Sequence, residues 1–208
     1  PDFAEAYSNM GNALKDKGDL DASIESYKNA IKIKPDYAKA YNNMGIALFN
    51  KGDREAAINS YQQALLIQPD YAEAYNNMGA SQKEKDDLEA AIDSFKQALS
   101  IQPDYAEAYN NMGNTLQDMG DLEAAIESFK KALSIKPDSA EAHNNLGNAL
   151  NDKGDIDGAI DNFERALKIK PDLVEAYNNM GAALKSKGDL EAAVNSYQQA
   201  IKIDPNYA

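Results

Sequence analysis

Asparagines recur along the chain at a constant spacing, and their carboxamides are the groups best suited to recognising another molecule. Six of them stand 34 residues apart: Asn9, Asn43, Asn77, Asn111, Asn145 and Asn179. A carboxamide carries both a donor and an acceptor, so it can pair with a peptide backbone whatever side chains the peptide has. We call these six residues the asparagine ladder and predict that they bind an extended peptide.

Duplication or bonding between helices could also account for the asparagine ladder, and both possibilities stay open. Recent duplication would leave neutral positions alike, although several positions predicted to be exposed have diverged, for example Lys15, Phe49, Lys83, Gln117, Asn151 and Lys185. Alternatively, each amide could bond a neighbouring helix, since interfacial asparagine serves either role. Asparagine is a mediocre helix former, and the core does not require it here.

The residues available for catalysis are few. His143 is the only histidine and the chain has no cysteine, which excludes disulfides and thiolate metal sites. Four serines recur at a position predicted to lie on a helix surface without a base: Ser26, Ser60, Ser94 and Ser128. The chain also lacks a glycine-rich loop that could cradle a phosphate. We therefore predict no enzymatic activity, no cofactor and no metal.

Composition limits the class of partner. The formal net charge is -13, which disfavours nucleic acids and anionic membranes because both are bound through clustered lysine and arginine. No apolar run approaches the roughly 20 residues that span a bilayer. A protein or peptide partner is the class that remains.

The elements that position the ladder follow from the prolines. All seven stand 34 residues apart, from Pro1 to Pro205. They predict one array over 1–208 with six repeats, 1–34, 35–68, 69–102, 103–136, 137–170 and 171–204, and the start of a seventh over 205–208. A fixed period of this length is typical of a solenoid. The proline is position 1 of each repeat.

Each repeat is predicted to form two antiparallel helices, as the fourth repeat illustrates. Asp104 and Glu107 have the form of a capping box that starts the first helix. Gly120 then ends that helix and Asp121 caps the second. The core face of the first helix has helical spacing: Tyr109, Met112, Gly113 and Leu116. Six glycines inside first helices predict close helix packing, because each costs about 1 kcal/mol relative to alanine.

The stripe opposite that core face is the predicted binding groove. At about 100° per residue it comprises, in the fourth repeat, Glu107, Asn111, Asn114 and Asp118. The full set of predicted groove residues is the asparagine ladder together with Asn42, Asn76, Asn110, Asn114, Asn148, Glu73, Glu107 and Glu141. The balance of charge on this stripe is acidic, so we expect a neutral or basic peptide to bind and acidic ligands to be repelled.

The repeat resembles the tetratricopeptide repeat over the whole chain. The residues that carry the resemblance are the first-helix tyrosine with its Met-Gly, the small alanine and aromatic residue of the second helix, and the closing proline. Departures from the pattern are Ser23, Arg54, Gln82, Asp86 and His143. The resemblance implies an all-α, right-handed α-solenoid whose concave groove holds a peptide or a partner's helix, without catalysis.

Among such arrays, the asparagine ladder resembles that of the superhelix of O-linked N-acetylglucosamine transferase. That resemblance implies binding of substrate backbones, and the catalytic domain of such an enzyme is not in this chain. Two alternative functions stay open: a targeting arm of a larger transferase, and a self-assembling scaffold. For the second, the chain begins at a repeat boundary and stops within a repeat, which predicts an excised fragment. Exposed Val194, Tyr197 and Ile201 would then favour head-to-tail association.

Overall fold

The computed structural model describes residues 3–206, and the chain divides into two compact units, Pro1–Pro103 and Asp104–Ala208. The first unit contains α1 (Phe3–Asp16), α2 (Leu20–Ile33), α3 (Ala38–Lys51), α4 (Arg54–Ile67), α5 (Ala72–Lys83) and α6 (Leu88–Ile101). The second contains α7 (Ala106–Asp118), α8 (Leu122–Ile135), α9 (Ala140–Lys153), α10 (Ile156–Ile169), α11 (Val174–Lys187) and α12 (Leu190–Ile203). These twelve helices of the described residues confirm the predicted all-α array of six helix-turn-helix repeats.

The second helix of each repeat begins where the sequence predicts. Asp121 caps α8 by accepting a hydrogen bond of 3.1 Å from the backbone N–H of Ala124, and the remaining five second helices begin on an equivalent aspartate. Gly120, just before the cap, has φ +81°. This left-handed conformation is accessible to glycine at little cost, so the turn and the cap together reverse the chain.

The capping box predicted at Asp104 and Glu107 is wrong. The cap of α7 is Tyr105, which makes no side-chain cap hydrogen bond, and the same holds for α3 and α5. The helix starts one residue beyond Tyr105, too late for Asp104 to cap it. At α9 the cap is Ser139, whose Oγ accepts from the N–H of Ala142 at 3.3 Å.

An aromatic ring from the second helix fills the centre of each hairpin. The five that are almost fully buried are Tyr27, Tyr61, Phe95, Phe129 and Phe163. Each packs directly against the glycine of its own first helix: a Cβ on Gly113 would lie 2.6 Å from Cε1 of Phe129. The close approach predicted from the glycines is thus present, and its cause is the ring.

Within each unit, successive hairpins pack through the second helix of one repeat and the first helix of the next. In the second unit Ile126 and Phe129 of α8 cluster with Leu146 and Ala149 of α9. The serines predicted on helix surfaces are instead buried, between 3% and 5% exposed. Ser128 is an example, and its Oγ donates to the carbonyl of Ala124 at 2.8 Å. Because that bond satisfies the hydroxyl within its own helix, the serine is accommodated in the core.

Candidate functional site

Four of the ladder asparagines, Asn43, Asn77, Asn145 and Asn179, are hydrogen-bonded to the preceding repeat. Nδ2 of Asn77 donates to Oδ1 of Asn42, and Nδ2 of Asn145 donates to Oδ1 of Asn110, each over 3.1 Å. Asn179 makes the same bond to Asn144, also at 3.1 Å. Because acceptor and donor lie on consecutive first helices, the bond crosses the joint between two repeats.

At two of these joints the accepting asparagine also donates to a glutamate. Nδ2 of Asn42 donates to Oε1 of Glu73 at 3.1 Å, and Nδ2 of Asn110 donates to Oε1 of Glu141 at 3.0 Å. We call the residue at position 8, represented by Asn42, Asn110 and Asn144, the hub asparagine. Where both bonds form, its donor and acceptor are both satisfied by the next repeat, as a buried amide requires.

Part of the predicted groove is wrong, because the residues at the hub position are buried. Asn42, Asn76 and Asn110 were expected on the exposed stripe, but their exposed fractions are 0%, 1% and 7%. Position 8 turns toward the neighbouring first helix rather than away from it. These three side chains therefore do not lie on the exposed stripe, and the amides of Asn42 and Asn110 bond the next repeat.

The first joint is built differently. Ser8 occupies the hub position and Lys39 replaces the glutamate. Nδ2 of Asn43 donates instead to Oδ1 of Asn12 at 3.0 Å, which also accepts from the hydroxyl of Tyr27 at 2.7 Å. The ladder amide is thus bonded to the preceding repeat even where the hub asparagine is missing.

The ladder keeps unused hydrogen-bonding capacity on its outer side. Asn77, Asn145 and Asn179 are half-buried, and among the described residues the Oδ1 of each accepts no hydrogen bond. The remaining predicted groove asparagines differ in exposure. Asn9 is exposed, whereas Asn43, Asn111, Asn114 and Asn148 are half-buried.

Asn114 and Asn148 lie one helical turn further along the same face. Within residues 3–206 their side chains make no hydrogen bond, since the phenylalanines Phe129 and Phe163 stand where Tyr27 bonds Asn12 in the first repeat. Their amides are therefore available in full to a ligand.

Carboxylates border the ladder. Glu73, Glu107 and Glu141 are all exposed, and Glu73 and Glu141 keep one carboxylate oxygen beyond the one that accepts from the hub. Because the hub amide holds these two carboxylates against the ladder, their charge is fixed beside the unused Oδ1 atoms. These exposed carboxylates put negative charge on this face.

Two cavities open beside the ladder in the second unit. One, of about 210 Å³, is lined by Asn110, Glu141, Lys136 and Ser139 among others. The second, of about 350 Å³, lies at the next joint and is lined by Asn144, Leu173 and Lys170 among others. The repeat pattern did not predict them, although position 3 gave a signal: it is Tyr37, Tyr71 and Tyr105 in three repeats but Ser139 and Leu173 in the next two.

His143 lies in the core rather than in a catalytic cluster. It is 7% exposed, and its ring nitrogens lie 3.0 Å from Oδ1 of Asn162 and 3.1 Å from the carbonyl oxygen of Pro137, so it packs at the aromatic position. In the part of the chain that the structure describes, no three histidine, aspartate or glutamate side chains converge on a metal position. Over residues 3–206 no helix combines the length and the apolarity that crossing a bilayer requires.

Apolar side chains are exposed on the last described helix. Val194 is 54% exposed and Ile201 59%, as the sequence predicts, whereas Tyr197 is half-buried. On α1, Phe3 is 68% exposed and Met10 46%.

Comparison with known proteins gives matches throughout the chain. A family model described as TPR repeat matches residues 11–52, 47–86, 82–120, 116–151 and 147–188, and one described as Tetratricopeptide repeat matches 174–207. No curated protein sequence is significantly similar to the chain.

The chain is similar to many solved structures, of which three are described. The MamA protein is 31% identical with a TM-score of 0.70, over 81% of this chain and 92% of that one. PilW, described as a widely conserved type IV pilus biogenesis factor, is 21% identical with a TM-score of 0.90, over 99% and 95%. YrrB, described as a TPR protein with an unusual peptide-binding site, is 24% identical with a TM-score of 0.69, over 88% and 95%.

Proposed function

The chain belongs to the tetratricopeptide repeat family, whose members generally mediate contacts between proteins, and we propose that it binds an extended segment of a partner along the asparagine ladder. The observation that carries the proposal is the unused Oδ1 of Asn77, Asn145 and Asn179. Each is held in place by the bond that its own Nδ2 makes to a hub asparagine. An amide fixed in this way can accept from a peptide N–H without a further ordering cost.

The spacing of the ladder suits an extended backbone. Neighbouring helices lie about 8–10 Å apart, and an extended peptide advances about 3.3 Å per residue. One ladder amide would therefore meet about every third peptide residue. Peptide binding described for YrrB supports the proposal only as a property of that protein with the same fold.

The charge of the partner follows from the carboxylates beside the ladder. Glu73 and Glu141 are exposed and held against the hub asparagines. A neutral or basic segment would be attracted and an acidic one repelled, more strongly at low salt. Equal binding of oppositely charged peptides at two ionic strengths would refute this preference.

The test of peptide binding uses two sets of variants. A random peptide library is selected against the whole chain, and the bound peptides are titrated by fluorescence anisotropy. The Asn77→Ala, Asn111→Ala, Asn145→Ala triple variant should lose most of the binding. Because that variant also loses inter-repeat hydrogen bonds, a second variant with Asn114→Ala and Asn148→Ala is measured, which removes no hydrogen bond of the described structure.

We expect the second variant to bind several-fold more weakly than the parent while it unfolds at the same denaturant concentration. Unchanged affinity in both variants would show that the amides serve the stack alone.

A second candidate function, self-association, is favoured by the exposed apolar side chains Val194 and Ile201 of α12. Such a patch can drive association between copies. Light scattering at increasing protein concentration tests it, with Val194→Lys and Ile201→Lys as the variant. A mass that stays at one chain in the parent protein would rule this candidate out.

A further inference from the structure

The side chain at position 3 of a repeat determines whether the space at its joint with the preceding repeat is occupied. At the joint between α3 and α5 this residue is Tyr71, whose ring packs against Ala64, Leu65 and Ala74. Asn42 and Glu73 are polar neighbours that act on the pKa of its hydroxyl, and Oε1 of Glu73 accepts from Nδ2 of Asn42 at 3.1 Å. The phenol thus occupies a space with small apolar walls and a polar rim made by the hub asparagine and its glutamate.

The joint between α7 and α9 has the same walls without the phenol. Ser139 stands at position 3, and its hydroxyl is used to cap α9. A cavity of about 210 Å³ remains, lined by Asn110, Ala132 and Ala142. These three residues are the repeat equivalents of Asn42, Ala64 and Ala74, and Tyr71 packs against the cluster that contains the two alanines. The cavity is therefore the place of the missing tyrosine side chain, and we call it the joint pocket.

We propose that the joint pocket receives a tyrosine side chain from the bound partner. The ring would pack against Ala132 and Ala142, as the ring of Tyr71 packs against the cluster that contains Ala64 and Ala74. The hydroxyl would reach the polar rim, where Glu141 accepts and Lys136 donates. This inference rests on the proposed function, because the tyrosine is presented by a peptide that follows the ladder, and Asn145 of the ladder donates to the pocket's own Asn110.

The next joint, which has leucine at position 3, does not offer the same space for a tyrosine side chain. Leu173 occupies position 3 there and lines the neighbouring cavity itself, so that space already contains an apolar side chain at position 3. Serine leaves the whole phenol site open, and a phenol has both the apolar face and the hydrogen-bonding tip that the walls and rim of the joint pocket require.

The first experiment uses a probe that needs no peptide. The isotope-labelled whole chain is titrated with p-cresol, the tyrosine side-chain analogue, and with toluene, while the side-chain amide of Asn110 is followed by NMR. We expect p-cresol to shift the Asn110 amide and to bind about fivefold more tightly than toluene, the difference that one hydrogen bond of about 1 kcal/mol makes.

Two substitutions at one position give the matched control. Ser139→Tyr fills the pocket with the chain's own ring and should abolish the p-cresol shifts. Tyr37 and Tyr71 show that the fold accepts tyrosine there without a side-chain cap bond. Ser139→Ala removes the cap but leaves the pocket open, so it should bind p-cresol as the parent does. Equal shifts in the parent and in Ser139→Tyr, or no shift in the parent, would overturn the proposal.

The second experiment separates this inference from the proposed function. Random peptides are selected with the parent and with Ser139→Tyr. We expect tyrosine to be enriched at one place in the parent's peptides and not in those of Ser139→Tyr, which still binds. Peptides that bind the parent without tyrosine enrichment would overturn the joint pocket and leave the proposed function standing. If no peptide binds either protein, the proposed function is wrong. The proposal that the joint pocket receives a partner's tyrosine is then wrong as well.

Discussion

Nδ2 of Asn145 lies 3.1 Å from Oδ1 of Asn110, a residue of the preceding repeat, and donates a hydrogen bond to it. The ladder amide thus has one side turned to the stack and one side, its Oδ1, turned outward. One atom of the carboxamide therefore bonds the stack, and the proposed recognition of a peptide would use the other.

The hub asparagine should contribute more to stability than the ladder asparagine. Asn110→Ala removes an acceptor used by Asn145 and a donor used by Glu141, so we expect a loss of about 2–3 kcal/mol in the free energy of unfolding. Asn145→Ala removes one half-buried partner and should cost about 1 kcal/mol. Urea denaturation followed by circular dichroism measures both.

The Asn110→Ala, Asn145→Ala double variant measures the coupling between the two side chains in a double-mutant cycle. Because the two side chains share a hydrogen bond, Asn110→Ala with Asn145→Ala should lose less than the sum of the single losses. Strict additivity would mean that the bond contributes nothing.

Gly113 is predicted to be needed in spite of its poor helix propensity. Gly113→Ala would place a Cβ 2.6 Å from Cε1 of the buried Phe129. Overpacking of this kind costs about 1–3 kcal/mol, and we expect it to exceed the gain of about 1 kcal/mol from alanine in a helix. A thermal melt gives the sign of the difference.

Two further variants identify the clash as the cause. Adding Phe129→Leu to Gly113→Ala should recover part of the loss, since the shorter side chain makes room. Asn114→Ala, at the next residue, gains helix propensity without a clash and should not destabilise the chain. If Gly113→Ala melts above the parent protein, the ring is not the constraint.

The third hairpin contains a strained turn. Asp86 has φ +63°, whereas the glycine of the equivalent turn in the fourth repeat, Gly120, has φ +81°. A left-handed conformation costs most L-residues about 1–2 kcal/mol. Glycine avoids this cost, but part of the gain is offset because glycine makes the unfolded chain more flexible. Asp86→Gly should therefore stabilise the protein by about 0.5–1 kcal/mol.

The reverse change serves as the comparison. Gly120→Asp should destabilise the fourth repeat by a similar amount in the same denaturation experiment. A loss of stability in Asp86→Gly would show that the aspartate makes a contribution larger than the strain.

The free energy of unfolding should fall at alkaline pH because the phenol of Tyr71 titrates late in the folded protein. Burial, and then the charge of Glu73, raise the pKa of Tyr71 to about 12, above the value of about 10 in an unfolded chain. The folded protein therefore holds this proton more tightly, and the stabilisation is fully present below pH 10 and lost as the pH rises to 12.

Tyr71→Phe keeps the ring but has no proton to lose. Its free energy of unfolding should fall less than that of the parent between pH 10 and pH 12, and one late-titrating phenol should vanish from the absorbance at 295 nm. Parallel declines in the two proteins would contradict the assignment.

Local rules were enough to predict most of the fold. Gly120 and Asp121 depend only on the backbone conformation and the orphan N–H groups at one helix end, so their spacing predicted the turn and the cap correctly. The capping box at Asp104 failed because the cap of α7 is Tyr105, a residue that the capping rules do not favour. At α5, whose cap is Tyr71, packing against the preceding repeat fixes the equivalent residue, and tertiary packing is invisible to a local motif.

The site was harder to predict because it is made between repeats. Helical angles placed Asn145 on the outer stripe but could not show that Asn110, one position earlier in its repeat, is turned into the joint. The joint pocket was missed for the same reason. Its signal, serine at position 3, appears as an ordinary helix cap in the sequence, and only the neighbouring repeat reveals the space it leaves.

The chemistry of the joints also constrains how such a chain can be rearranged. Ser8 and Lys39 occur together at the first joint, whereas an asparagine at position 8 precedes a glutamate at every later one. If the second repeat were moved behind a repeat that carries a hub asparagine, the ammonium of Lys39, which has no acceptor, would face an amide donor. The third to sixth repeats are interchangeable at these positions, but the second repeat can follow only a repeat that, like the first, lacks the hub asparagine.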